Sequence, residues 1–92
     1  MPLRDFVEST NFKHDFEMYW QNYPDLDQVY DAIKERLLDK PSMGTPLKMP
    51  PDFRVYSTEP IADIDGETQS FYFVYTYDLD HIYMHSIGKV DF

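Results

Sequence analysis

The sequence predicts one α+β domain, residues 1–92, in which a helical hairpin packs on one face of a mainly antiparallel, curved sheet in the order β-α-α-β-β-β. Three observations predict it. Two stretches in the first half carry apolar residues at helical spacing, and the second half holds aromatic and β-branched runs of strand length. A Pro-rich crossing separates the two halves. With 92 residues, 42% of them hydrophobic and 17% aromatic, the chain can fill one core but not two.

Leu3 to Glu8 alternates apolar and charged residues, which suits a short first strand. Ser9, Thr10 and Asn11 then offer N-cap oxygens to a helix in which Phe12, Phe16, Tyr19, Trp20 and Tyr23 recur at helical spacing. Pro24 closes it. The stripe Phe12, Phe16, Tyr19 and Trp20 is expected in the core, with Trp20 or Tyr23 the alternative anchor for a partner. Asp25, followed three residues later by Gln28, resembles a capping box, and Leu26, Val29, Tyr30, Ile33 and Leu37 share one face of a second helix. That helix ends before Pro41, and Arg36, with Lys34 and Lys40 near it, complements its C-terminal dipole.

Pro41 to Asp52, with four prolines and Gly44, predicts an irregular crossing. "FRVYST" reads as a strand that Pro60 interrupts, and "DIDGE" carries the Asp-Gly signature of a tight turn. Phe71 to Tyr77 and His81 to Ile87 are expected to pair across Asp78, Leu79 and Asp80. Asp78 and Asp80, like Asp63 and Asp65, are read as turn residues whose carboxylates bond nearby backbone amides.

Charge excludes some functions. Eight Lys and Arg face seventeen Asp and Glu, for a formal net charge of -9, and neither half of the chain is basic. Such a surface repels phosphate, so general nucleic-acid binding, and with it ribosome or mRNA contact, is disfavoured. The absence of cysteine excludes disulfides and thiolate metal sites and is consistent with a reducing cytoplasm. No leader-like start or membrane-length apolar run is present, so a cytoplasmic protein without membrane association is expected.

Read along the chain, "STNFKHDFEMY", "LLDKPSMGTPL", "FRVY", "FYFVY" and "HIYMHSIGK" resemble the RelE/ParE toxin superfamily over nearly the entire length. The resemblance implies that family's strand, helical hairpin, Pro-Gly crossing and curved sheet. It also implies a toxin of a toxin-antitoxin system, either a ribosome-dependent mRNA interferase or a binder of a protein target, with an antitoxin segment wrapped around it. Arg54 lies where the family's second strand carries a base, and Lys89 follows the last strand, where members often place a functional residue. His81, Tyr83 and His85, on one face of a strand, resemble the proton-transfer groups of some family toxins. Together these five are the candidate catalytic residues.

The chemistry requires that pattern, because phosphoryl transfer places charge on non-bridging oxygens, which fixed cations must meet while an acid and a base serve the attacking and leaving oxygens. One departure stands out: where the family often has an arginine before its next strand segment, this chain has Tyr72 or Phe73 of "FYFVY". The competing account of His81, Tyr83 and His85 is an ordinary half-buried sheet with Ile82, Met84 and Ile87 inward. No metal or cofactor is expected, since His81 and His85 in a strand stand about 13 Å apart, too far to share one zinc.

Two further functions compete with the toxin. One is a non-enzymatic acidic binding or inhibitor protein on the same scaffold, a nucleic-acid mimic or immunity type, with a basic protein partner. The other is an assembly module forming a homodimer through the edge of Phe71 to Ile87.

Overall fold

The computed structural model describes residues 4–48 and 52–90. Leu3 and residues 49–51 of the crossing lie outside them. Strand β1 (Asp5–Glu8) leads through Ser9 into helix α1 (Thr10–Asn22), and α2 (Leu26–Asp39) follows. A 3-10 turn (Pro41–Met43) and the two-residue strand β2 (Thr45–Pro46) make up the described part of the crossing. Then come β3 (Arg54–Ser57), β4 (Ile61–Ala62), β5 (Thr68–Gln69), β6 (Phe71–Tyr77) and β7 (His81–Lys89).

The main sheet runs β1-β7-β6-β3-β2, and β4 with β5 forms a separate ribbon. Every neighbouring pair is antiparallel except β1 with β7, which is parallel. The chain is therefore α+β with a mainly antiparallel sheet, as its patterning predicts. Strand β6 lies inside the sheet between β3 and β7, so the aromatic strand is not a free edge.

Ser9 caps α1: its hydroxyl accepts the Phe12 N–H at 3.0 Å and donates to the His85 carbonyl at 3.0 Å, fastening the helix start to β7. The capping box at α2 does not form. The Leu26 N–H already bonds the Tyr23 carbonyl at 2.9 Å, which turns Asp25 into a helical conformation (φ -82°, ψ -2°) from which its carboxylate makes no cap bond. Asp27 instead accepts the Gln28 N–H at 2.8 Å.

Between the helices and the sheet lies an aromatic core. Phe12, Leu26, Leu37, Phe71, Phe73, Tyr75, Ile82 and Met84 are fully buried. Tyr30 stacks on Phe73 with ring centroids 5.5 Å apart and planes 5° off parallel, and Phe12 packs on Tyr30 at 5.4 Å. Trp20 is not part of it. At 100° per residue, Phe12, Phe16, Tyr19 and Tyr23 form the buried stripe, and Trp20, one step beyond Tyr19, turns to solvent with 46% of its surface exposed. Its indole N–H donates to the Pro24 carbonyl at 3.3 Å.

Tyr75 holds the crossing. Its hydroxyl accepts the Gly44 N–H at 2.9 Å and donates to the Pro41 carbonyl at 2.7 Å, so the 3-10 turn is pinned to the middle of the sheet. Between Val74 and Tyr75 the β6–β7 register jumps: Val74 faces Ser86 and Tyr75 faces Met84, leaving His85 as the extra residue of a bulge. A bulge changes which face the following residues occupy. Ile82 and Met84 point to the helices before it, and Ile87 and Lys89 do so after it.

Candidate functional site

The helices cover one face of the sheet, and no helix among the described residues covers the other. On that open face the period of two gathers Val7 of β1, His81, Tyr83 and His85 of β7, Val74 and Thr76 of β6, and Val55 of β3. The three β7 rings form a row, with centroids 5.5 Å apart from His81 to Tyr83 and 6.5 Å from Tyr83 to His85. Phe53 closes its far end, edge-on to His85 at 5.2 Å.

Asp78 anchors the near end. Its Oδ1 accepts the backbone N–H groups of Asp80 (2.8 Å) and His81 (2.7 Å), as an acidic turn residue should, and lies 3.6 Å from the His81 Nδ1. Its Oδ2 accepts the Tyr83 hydroxyl at 3.0 Å. These bonds, first the Asp80 N–H and then that of His81, hold the Asp78 carboxyl below the usual carboxylate range. The same carboxylate pushes the Tyr83 phenol up, chiefly by accepting its hydrogen bond. At the other end the His85 Nε2 and the Thr76 Oγ1 share a hydrogen bond of 2.7 Å, and burial pushes the His85 imidazole down, toward its neutral form.

Three of the five sequence-derived candidates, His81, Tyr83 and His85, are thus brought together. Arg54 and Lys89 are not. Both lie on the helix-covered face, because Arg54 sits opposite Tyr75 and Lys89 opposite Phe71. The Arg54 guanidinium donates to the carbonyls of Ser42 (2.9 Å) and Gly44 (2.8 Å) and lies 5.9 Å from the centre of the Tyr77 ring. Its task is to hold the crossing. Lys89 is the last residue of β7 rather than a residue after it, and its Nζ rests 5.6 Å from the Tyr23 ring and 5.9 Å from the Tyr19 ring. Their positions are four residues apart along β6, about 13 Å at the usual strand rise. The bulge at His85 puts Lys89 on the helix side, and a bulge leaves little trace in a sequence.

The sequence favours a turn residue over a paired carboxylate for Asp78 and singles out no role for Thr76, yet these two are the side-chain partners of Tyr83 and His85. Thr76 was findable: it lies on the outward parity of "FYFVYTY", whose inward set is Phe71, Phe73 and Tyr75. Chemically the imidazoles and the phenol of the row can each accept or donate a proton. Beside the rings stand Asp78 and, at the His81 level, Asp5, while no Lys or Arg among the described strand residues of the sheet shares this face. Among the described residues no three His, Asp or Glu converge as a metal site. No protein-family model, no curated protein and no solved structure matches this chain.

Proposed function

We propose that this chain is a non-enzymatic acidic binding protein on a RelE/ParE-like scaffold, and that its partner is a basic protein. The element order, one strand, a helical hairpin, a Pro-Gly crossing and a mainly antiparallel sheet, supports the scaffold. One observation carries the function: the proton-transfer row and the cations needed to clamp a phosphate occupy opposite faces of the sheet. Phosphoryl transfer needs both at the same oxygens, and the loss of one charge-stabilising donor alone costs on the order of 10²–10³ in rate. A surface of charge -9 instead attracts a cationic partner and steers its approach.

The test is capture of partners by the immobilised protein from a cell extract at low and at high salt. Recovery of basic proteins at low salt, released as ionic strength rises, is the expected result. Capture that is insensitive to salt, or of no basic protein, would overturn the reading.

The gathering of His81, Tyr83 and His85 favours a second reading, a toxin-type mRNA interferase with an antitoxin partner. Expression in bacterial cells, following growth and mRNA integrity together, separates the two. Ribosome-dependent cleavage lost in a folded Tyr83→Phe variant would establish the interferase. Normal growth with intact mRNA leaves the binding protein.

A further inference from the structure

A cleft of about 380 Å³ lies between α2 and the corner where β3 passes into β4, away from the ring row. This volume is within the range of pockets that hold small ligands. Helix α2 contributes Val29, Ala32 and Ile33, the β3–β4 corner contributes Pro60 and Ile61, and the polar end is Arg36 with Tyr56.

That polar end is built to donate. One Arg36 Nη–H bonds the Tyr56 hydroxyl oxygen at 2.7 Å, which leaves the guanidinium four further N–H groups and leaves the Tyr56 O–H free to donate elsewhere. Among the described residues, Lys34 with Asp31 is the only lysine or arginine paired with a carboxylate, so Arg36 has no carboxylate partner there. Glu59 also lines the cleft, beyond ion-pair distance of Arg36. One guanidinium beside one carboxylate suits a singly charged, planar anion and opposes a phosphate dianion.

A second feature selects a peptide. The Thr58 N–H bonds the Phe71 carbonyl at 2.8 Å, so Thr58 faces β6. Successive residues of an antiparallel strand turn their N–H and C=O groups to alternate sides, and Ser57 therefore directs its pair away from β6. On that side β2 reaches only Val55 and Arg54, because the chain before Thr45 turns off into the 3-10 helix. Among the described residues no strand pairs with this side of Ser57, which is itself part of the cleft lining. Strand addition at such an edge is a recurrent mode of peptide capture, as is fixation of a terminal carboxylate.

We infer that the cleft between α2 and the β3–β4 corner binds the C-terminal end of an extended apolar peptide. The peptide backbone adds to β3 at Ser57, its apolar side chains lie against Val29, Ile33 and Ile61, and its terminal carboxylate is held by Arg36 and Tyr56. This site is independent of the acidic surface and of the basic partner proposed above.

The experiment is an amide chemical-shift titration of the full chain with acetyl-Val-Leu-Val as the free acid and, separately, as its C-terminal amide. The free acid is expected to shift the Ala32, Ser57 and Ile61 amides saturably and to bind at least about tenfold more tightly than the amide, the weight of one charged hydrogen bond. Arg36→Gln should bring the acid down to the level of the amide while leaving the remaining amide shifts in place, since Arg36 is on the surface. Arg36→Lys should keep part of the preference. Equal binding of acid and amide, saturable shifts confined to other parts of the molecule, or no saturable shift at millimolar peptide would each overturn the assignment.

Discussion

At the scale of single residues, the tyrosines do more than fill space. Tyr30 is buried against Phe12, Phe16 and Phe73, and its hydroxyl donates to the Glu8 carboxylate on β1. Burial first, then the Glu8 hydrogen bond and the charges of Glu8 and Asp31, push the Tyr30 phenol far above the ordinary tyrosine value of 10.0. A phenol whose folded value is raised contributes stability that is intact below the unfolded value and is lost as pH rises above it. The native state should therefore weaken from about pH 10 upward. Tyr30→Phe should flatten this alkaline loss while costing about 1–2 kcal/mol at neutral pH, because the carboxylate loses a donor. Urea unfolding of both proteins at pH 7 and across the alkaline range checks this, and parallel alkaline slopes would show that another group governs it. Tyr75, also buried and also raised, is the group to examine next.

At the scale of elements, two glycines separate close approach that is rigid from close approach that is soft. A Cβ on Gly44 would lie 2.6 Å from the Tyr75 hydroxyl and 3.0 Å from the Val55 carbonyl. Tyr75 is fully buried and bonded to both Gly44 and Pro41, so neither neighbour can move. Gly44→Ala should cost about 1–3 kcal/mol, as overpacking does, and loosen the crossing. A Cβ on Gly88 meets Tyr72 at 2.4 Å, but the nearest atoms belong to the far end of a half-buried ring on the open face, which can swing aside. Gly88→Ala should cost clearly less, and thermal melts of the two variants rank them. A Gly88→Ala melt as low as that of Gly44→Ala would mean that Tyr72 is fixed.

The same contrast explains what could be read in advance. Both helices were legible because Phe12, Phe16 and Tyr23, and Leu26, Ile33 and Leu37, repeat at one period and are bounded by Ser9, Pro24 and Pro41. The inward set Ile82, Met84 and Ile87 was legible too, and so was the shared face of His81, Tyr83 and His85. The parallel pairing of β1 and the face taken by Arg54 and Lys89 were not, since they depend on contacts between distant segments and on one extra residue at His85. Local spacing carries no record of either.

At the scale of the whole molecule, several of the eight cations make contacts inside the fold rather than with carboxylates. Arg4 donates to the Asp78 carbonyl at 2.6 Å, Arg36 to Tyr56, and Arg54 to two carbonyls, while Lys89 rests on tyrosine rings. Most carboxylates are left to repel one another across a body with a Cα radius of gyration of 13.2 Å. That span is comparable to the screening length at moderate salt. Raising NaCl from about 20 mM to about 300 mM should therefore lift the melting temperature by several degrees, and a flat or falling trend would show that repulsion is already offset. No helix among the described residues is long and apolar enough to cross a membrane.

The parallel β1–β7 ladder also fixes an order of events during folding. Ser9 must find His85, 76 positions away, before the start of α1 acquires its anchor. Closing so long a loop carries its entropic cost before any contact rewards it, which slows folding. During synthesis, both helices are made well before β7 is. Until β6 has been made, the aromatic stripe of α1 lacks the Phe71 and Phe73 rings it packs against, and during that interval the nascent chain is exposed to misassociation.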